Sequence, residues 1–217
     1  MKRLLLLHTV SPLIEVFDVL CARLLPGVKV LHILDEPLLK MVQGEGGTEQ
    51  DFVHRLEEHV SVAEKLGIRV MLVTCSSVSL LLDKISRPAA IEVMKIDDAM
   101  VESAVERGNT IGVVATASST LDPTRQALLK QADDTGKKIE VKTLLVERAL
   151  ELLIGGDGEA HDRLVGEAVM RMSGEVEVVV LAQASMARVL DVLSEEERSV
   201  PVLSSPHLAL EKIKKIL

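Results

Sequence analysis

Short apolar runs alternate with longer segments along the whole chain. The runs are continuous rather than alternating, which is typical of strands that are buried on both faces of a parallel sheet. In the longer segments the apolar residues recur every three or four positions, which predicts helices. The predicted strands are residues 4–7, 28–34, 70–73, 91–96, 110–114, 139–146, 176–181 and 200–203. Strands that alternate with helices predict right-handed βαβ units on parallel sheets.

Several boundaries between these elements bear on the rest of the chain. The glycine-rich residues 43–48 predict a loop, and Arg87-Pro88 predicts a break. One helix is predicted to run from the turn at residues 74–77 to about Ile85, and another from residue 183 to about Leu193. Asp122-Pro123 predicts the start of a helix that ends near Gly136, since Asp caps helices and Pro suits their first turn.

The second half of the chain repeats the pattern of the first. RVMLVTCSSVSLLLD (69–83) resembles EVVVLAQASMARVLD (177–191), with Val70 matching Val178 and Cys75 matching Gln183. The repeat predicts an α/β protein with two pseudo-symmetric, Rossmann-like lobes, each a roughly four-stranded parallel sheet flanked by helices. The expected lobes are residues 1–96 plus 204–217, and residues 97–203. Ligands of such sheets bind beyond the carboxyl ends of the strands. We therefore expect an active-site cleft between the lobes, lined by the loops at 8–12, 74–79, 115–120 and 182–187.

Composition excludes several partners. The net charge of −8 and the absence of a Lys/Arg cluster argue against nucleic acid. Phe17 and Phe52 are the only aromatic residues, which excludes stacking platforms for bases. The apolar N-terminal run stops at His8, so we expect neither a signal peptide nor a membrane partner. Two cysteines allow no disulfide framework and no Cys-rich zinc site, which fits a protein of the reducing cytoplasm.

Cys75 is the candidate for chemistry. It stands in a small polar cluster after a buried strand and before a predicted helix, whose N-terminus would stabilise a thiolate. A free cysteine also packs as a small hydrophobe, so a structural thiol is the alternative. Cys21 lies between Leu20 and Leu24 on the apolar side of a helix, and there core packing is expected.

Polar residues of the loops complete the candidate site. Their hydroxyls either bind a carboxylate or cap helices, and the two roles are compatible because capped N-termini also bind anions. His8 is the histidine suited to be a substitute acid or a substrate contact, with a plain loop histidine as the alternative. His54 and His59 are expected at the surface, and no metal site is expected. The candidate substrate-binding residues are His8, Ser11, Ser76, Ser77, Thr116, Thr120, Gln183, Ala184 and Ser185.

These motifs resemble the aspartate/glutamate/hydantoin racemase superfamily. Val73-Thr74-Cys75-Ser76-Ser77 is similar to the family's first cysteine motif, and residues 181–186 (LAQASM) stand where its second cysteine motif is found. The IDDAM run (96–100) and the pair Thr116 and Thr120 also fit. The resemblance implies chemistry without a cofactor at a carbon next to a carboxylate, in which two thiols exchange the α-proton on opposite faces. It also implies a homodimer or a higher homo-oligomer.

One departure from the family pattern leaves three functions open. Gln183 replaces the second cysteine, and an amide cannot donate a proton as an acid in this pH range. The first expectation is a racemase-like isomerase for a small amino acid such as aspartate or glutamate, with Cys75 as the acid/base thiol. The second is a one-thiol decarboxylase or diacid isomerase. The third is a carboxylate-binding protein without catalysis.

Overall fold

The strands of the computed structural model follow the apolar runs of the sequence. The structure describes residues 2–86, 90–194 and 198–217. The predicted break at Arg87-Pro88 therefore lies outside the described residues. The chain divides into two compact units, which are described in turn.

The first unit comprises Met1–Ile96 and Ala209–Leu217. Its strands are β1 (Arg3–His8), β2 (Lys29–Leu34), β3 (Val70–Val73) and β4 (Glu92–Lys95). They form a parallel sheet in the order β2-β1-β3-β4. Its helices are α1 (Pro12–Leu24), α2 (Glu36–Val42), α3 (Glu49–Lys65) and the single turn α4 (Ser76–Ser79), which a 3₁₀ turn (Leu80–Asp83) continues.

The second unit comprises Asp97–Leu208. Its strands are β5 (Thr110–Ala115), β6 (Glu140–Leu145), β7 (Val178–Leu181) and β8 (Val202–Ser204). They form a parallel sheet in the order β6-β5-β7-β8. Its helices are α5 (Asp98–Arg107), α6 (Ser118–Asp134), α7 (Glu147–Ile154), α8 (Gly158–Ser173) and α9 (Val189–Val192), with a 3₁₀ turn (Ala184–Arg188) before α9. The last helix, α10 (Ser205–Ile216), begins in this unit and continues into the final segment of the first.

The two sheets have the same topology and the same register. Leu4 pairs with Val70 where β1 meets β3, and Ile111 pairs with Val178 where β5 meets β7. The sequence repeat predicts that Val70 and Val178 are equivalent, and they occupy the same place in the two sheets. The predicted fold class, an α/β protein with two four-stranded parallel sheets flanked by helices, is confirmed.

Burial on both faces explains why the central strands are continuous apolar runs. Leu4 to Leu7 of β1 are at most 1% exposed, and every residue of β3 is fully buried. Alternate residues of these strands, Leu5, Leu7, Met71 and Val73, join one core cluster with side chains of α2 and α3. Burying an aliphatic side chain of this size contributes roughly 1.5–3 kcal/mol. The strand ends, which carry the polar loops, are thus fixed by a rigid core.

Four helices differ from the sequence-based prediction. The helix predicted from the turn at residues 74–77 to Ile85 is only the single turn α4 and a 3₁₀ turn, and the helix predicted after Gln183 is a 3₁₀ turn before α9. Helix α6 begins at Ser118 rather than at Asp122, so that Pro123 lies inside it. Helix α2 was not predicted, although Asp35 caps it and Pro37 lies in its first turn.

Within the described parts of the chain, no helix is both long and apolar enough to cross a bilayer.

Candidate functional site

Cys75 lies at the carboxyl end of β3, where the sequence predicts it. Its thiol is free and its side chain is half-buried against the core of the first unit. Ser76 and Ser77 follow it in α4 and are also half-buried, and the N–H of Ser79 donates to the carbonyl of Cys75 (2.9 Å). Because α4 is one turn long, it supplies far less dipole than the predicted helix would. The position of the thiol, rather than a long helix, makes it the candidate for chemistry.

His8 is not at the surface of its loop but fully buried at the end of β1. Both ring nitrogens have partners: Nδ1 lies 2.9 Å from the Thr74 hydroxyl oxygen, and Nε2 lies 2.9 Å from His32 Nδ1. Burial, and then the neighbouring His32, lower the pKa of His8 to about 4, against an opposing effect of Asp18. His8 is therefore neutral near pH 7 and connects other groups, and a substrate would reach it only by displacing one of them.

Thr116 and Gln183 come together at the carboxyl edge of the second sheet. Gln183 Oε1 accepts hydrogen bonds from the Thr116 N–H (2.6 Å), the Thr116 hydroxyl (3.0 Å) and the Ala117 N–H (3.2 Å). Two of these donors are backbone N–H groups that cannot accept, so the atom they surround is the amide oxygen. We refer to the three donors as the three-donor nest. It holds one oxygen atom, as a carboxylate-binding or oxyanion-binding pocket does.

The remaining predicted residues lie in the segments that follow β1, β5 and β7. Thr120 lies within α6, where its hydroxyl donates to the carbonyl of Ala117 (2.8 Å). Ala184 and Ser185 are half-buried in the 3₁₀ turn that follows Gln183. Ser11 is exposed at the N-terminus of α1 and makes no side-chain capping bond. The structure thus joins Thr116 with Gln183, and it leaves the binding roles of the others as predictions.

Two groups of polar residues in the first unit were not predicted from the sequence. His32, on β2, and Asp18, on α1, continue the chain of hydrogen bonds from His8, with His32 Nε2 lying 3.1 Å from Asp18 Oδ1. The signal was a histidine in the middle of an apolar strand. The prediction that His59 is a surface residue is wrong, because its ring is 16% exposed and lies 2.6 Å from Asp35 Oδ2. His59 is half-buried because it contacts the Asp35 carboxylate, a residue too distant in sequence for a local pattern to indicate the contact.

Asp35 is the centre of that second group. Its side chain is 2% exposed and accepts two hydrogen bonds from Arg55, at 2.6 and 2.9 Å, in addition to the contact with His59. Burial opposes the charge of Asp35, but the hydrogen bonds from Arg55, His59 and the Leu38 N–H outweigh it and hold its pKa below the usual value. Because Asp35 caps α2, we interpret this group as structural.

Among the described residues, no group of three or more His, Cys, Asp and Glu side chains is placed to hold a metal ion.

The repeated topology defines the class of protein as a duplicated α/β protein with two equivalent four-stranded parallel sheets. The model of the Asp/Glu/Hydantoin racemase family matches residues 15–213. The chain belongs to this family, and it is a racemase-type isomerase. No curated protein sequence matches the chain.

Solved structures of racemases have the same fold. The allantoin racemase from Klebsiella pneumoniae is 18% identical, with a TM-score of 0.72, and the match covers 100% of this chain and 87% of that one. The aspartate racemase of Picrophilus torridus is 13% identical (TM-score 0.70; 99% and 95% covered). A glutamate racemase from Bacillus anthracis is 16% identical (TM-score 0.68; 100% and 81% covered). Their different substrates, at such low identity, leave the substrate of this chain to be inferred from its own residues.

Proposed function

We propose that the protein exchanges the proton on the carbon next to a carboxylate of a small amino acid, with Cys75 as the acid/base thiol. The observation that carries the proposal is the position of Cys75. It is a free, half-buried thiol at the carboxyl end of a central parallel strand, where ligands of such sheets bind. The match to the racemase family supports the reaction type. Aspartate-like or glutamate-like acids are the proposed substrates.

The three-donor nest is the proposed carboxylate-binding element. Its donors already hold one oxygen atom, that of the Gln183 amide, at hydrogen-bond distances of 2.6–3.2 Å. A carboxylate oxygen accepts the same hydrogen bonds and gains more from them, because bonds to a charged acceptor are roughly twice as strong. A carboxylate would therefore enter by displacing the side chain of Gln183.

Proton exchange in D₂O tests the proposal. The protein is incubated with each enantiomer of aspartate, glutamate and several hydantoins, and loss of the α-proton signal is followed by ¹H NMR. We expect exchange with at least one acid, and a decrease of at least ~100-fold in Cys75→Ser, because general acid–base catalysis contributes about that much. Cys21→Ala, which removes the other thiol, is the matched control and should retain exchange. Undiminished exchange by Cys75→Ser, or no exchange with any compound, would contradict the proposal.

A one-thiol reaction is the second candidate, and Gln183 favours it. The amide replaces the second thiol of the family pattern, and its oxygen is held by the three-donor nest. An amide is not an acid in this pH range, so it cannot return a proton to the substrate. Exchange without racemisation, or turnover of a malonate or maleate that depends on Cys75, would support this candidate over racemisation.

The family match argues against the third function that the sequence leaves open, a carboxylate-binding protein without catalysis. This third function predicts that small carboxylates stabilise the fold, by ~2.7 kcal/mol at 100 times their Kd, while none is turned over. Thermal-shift measurements together with the exchange assay separate this candidate from the two enzymatic ones. Any Cys75-dependent turnover would exclude it.

A further inference from the structure

Lys95 is a half-buried cation at the carboxyl edge of the first sheet, on the face that also carries Cys75. The strand register pairs Lys95, the last residue of β4, with Val73, the last residue of β3. Val73 and Val93 belong to one core cluster, and Cys75 packs against the same cluster. Because side chains alternate along a strand, Lys95 lies on the face of Val93. The ammonium group and the thiol therefore belong to neighbouring strands and to one face of the sheet.

The side chain of Lys95 is long enough to reach towards the thiol. Cys75 is two residues beyond Val73, which corresponds to about 6.6 Å along the chain at roughly 3.3 Å per residue. A lysine has a flexible four-carbon stem, which commonly lies along the protein while the charged end reaches outwards. Only 19% of the Lys95 side chain is exposed, so most of its length lies against the protein. A ligand bound beside Cys75 is therefore within reach of the ammonium group.

The ammonium group is paired with a carboxylate that a ligand can replace. Lys95 Nζ lies 2.6 Å from Asp83 Oδ2, and the side chain of Asp83 is 54% exposed. An ion pair with so exposed a partner contributes little to stability, because water screens it. Asp83 is the last residue of the 3₁₀ turn that continues α4, the helix directly after Cys75. A carboxylate that arrives beside Cys75 can thus take the place of Asp83 at little cost.

The ion pair of Arg55 in the same unit is of the opposite kind. Its partner, Asp35, is 2% exposed and accepts two hydrogen bonds from the guanidinium group, at 2.6 and 2.9 Å. Asp35 also contacts His59 and caps α2. Displacing this carboxylate would leave a buried charge without its partners, which is strongly unfavourable. Of these two ion pairs, the one made by Lys95 is the one that can open for a ligand.

The second unit shows that the fold does not require a lysine at this position. The sequence repeat makes Val73 equivalent to Leu181, and the register pairs Leu181 with Ser204. Ser204 therefore occupies the place of Lys95, and it is 2% exposed. The unit with the thiol has a cation at this place, whereas the unit with Gln183 has a small neutral residue. A role beside the thiol explains the lysine better than the stability of the sheet does.

We infer that Lys95 binds a carboxylate of the substrate beside Cys75 and so selects dicarboxylic acids over monocarboxylic acids and uncharged hydantoins. The inference rests on the proposed function, in which the three-donor nest holds the other carboxylate. Aspartate, glutamate and malonate each have one carboxylate for the nest and one for Lys95. On binding, the substrate carboxylate replaces Asp83 as the acceptor of the Lys95 N–H groups. A hydantoin ring has no charged group that could do so.

Isothermal titration with aspartate and alanine tests the role of Lys95, because alanine is aspartate without the second carboxylate. In Lys95→Gln the Kd for aspartate should rise at least ~10-fold, since a charge-assisted hydrogen bond is lost, while binding of alanine should not change. Lys95→Arg keeps the charge and should lose less affinity than Lys95→Gln. The matched control is Lys84→Gln, which removes the same charge from a lysine paired with Glu49 and should bind aspartate like the native protein.

Asp83→Asn separates a binding role of Lys95 from a purely structural one. If the ion pair only holds the turn after Cys75, Lys95→Gln and Asp83→Asn both break it, and both should weaken aspartate binding to a similar extent. If the ammonium group binds the substrate, Asp83→Asn removes a competitor and should lower the Kd for aspartate by about 2–5-fold. The two substitutions should thus act in opposite directions on binding, although their effects on the midpoint of urea unfolding should be small and similar.

Four results would overturn the inference. These are an equal loss of affinity for aspartate and alanine in Lys95→Gln, equal effects of Lys95→Gln and Lys84→Gln, a loss of affinity in Asp83→Asn, or no binding of any dicarboxylate. Because binding is measured without turnover, it can be repeated in Cys75→Ser. Dicarboxylate binding without α-proton exchange would refute the proposed reaction and leave the role of Lys95 intact. Exchange with monocarboxylic acids or hydantoins alone would support the reaction and refute the role of Lys95.

Discussion

Replacement of Gln183 by alanine should strengthen the binding of small carboxylates. In the native protein a carboxylate must displace the amide oxygen that accepts three hydrogen bonds from Thr116 and Ala117. Neutral hydrogen bonds of this kind contribute about 1 kcal/mol each, so displacement costs at most ~3 kcal/mol before water hydrates the freed amide. A net cost of about 1.5–2.5 kcal/mol corresponds to ~10–70-fold in Kd. We therefore expect Gln183→Ala to bind its carboxylate that much more tightly.

Isothermal titration with aspartate, glutamate and malonate measures this effect. Gln126→Ala makes the same substitution at an exposed position of α6 and should bind like the native protein. Gln183→Glu places a charged oxygen of almost the same shape in the three-donor nest, and we expect it to abolish binding. The nest is not the carboxylate site if Gln183→Ala binds no more tightly than Gln126→Ala. Native affinity in Gln183→Glu would refute the reasoning in the same way.

Three further predictions concern stability and thiol reactivity. Because the pKa of Asp35 is lowered in the folded state, its stabilisation is complete above the unfolded value and is lost as the pH falls through the folded one. Asp35→Asn should lower the free energy of unfolding, measured with urea at pH 7, by ~2–3 kcal/mol, and it should make that free energy less dependent on pH in the acid range. Unchanged stability at pH 7 would contradict this. Gly112→Ala should lower the free energy of unfolding by ~1–3 kcal/mol, because the new Cβ would lie 2.3 Å from Met172 Cγ in the core. Gly174→Ala should lower it by less, because the nearest atom to its Cβ is 3.6 Å away. Iodoacetamide should alkylate Cys21 at least ~100-fold more slowly than Cys75, because Cys21 is 3% exposed with a pKa of about 12; similar rates by mass spectrometry would refute the assigned environments.

The central strands could be predicted from the sequence because strands buried on both faces are continuous runs of apolar residues. Residues 70–73 were predicted as a strand and are β3, since all four side chains are apolar and fully buried. The repeat also identified Gln183 as the equivalent of Cys75, which the register confirms. A pattern that extends over a few neighbouring residues is enough for both conclusions.

The start of α6 could not be predicted in this way. Asp122-Pro123 has a typical helix-start pattern, yet the helix begins at Ser118. The preceding backbone is held by Gln183, which bonds to the N–H groups of Thr116 and Ala117. That contact comes from a residue far along the chain, and it fixes the approach to the helix. Pro123, which lacks an N–H, then omits one bond inside the helix.

The buried contacts of His8 were equally hidden. The sequence placed His8 after a strand, but its partners come from β2, β3 and α1, and only the register of β1 against its neighbours brings them together. The prediction of a longer helix after Cys75 was wrong for a different reason. Serines compete with helical hydrogen bonding, and the Ser79 hydroxyl donates to the Val73 carbonyl (3.4 Å), which favours tight turns over a longer helix.

The two units show which properties belong to the scaffold and which to the side chains. Equivalent backbone bonds close the strand end before Cys75 and the strand end before Gln183. At the first strand end, His8 is hydrogen-bonded to Thr74 and to His32. At the second, the residues equivalent to His8 and Thr74 are alanines. The second strand end instead gathers three donors on one oxygen atom. The duplicated scaffold therefore carries two different sets of side chains: one strand end has two hydrogen-bonded histidines, and the other gathers three donors on one amide oxygen. A substitution in one set of side chains should leave the other intact, since neither set contributes to the backbone bonds that the two strand ends share.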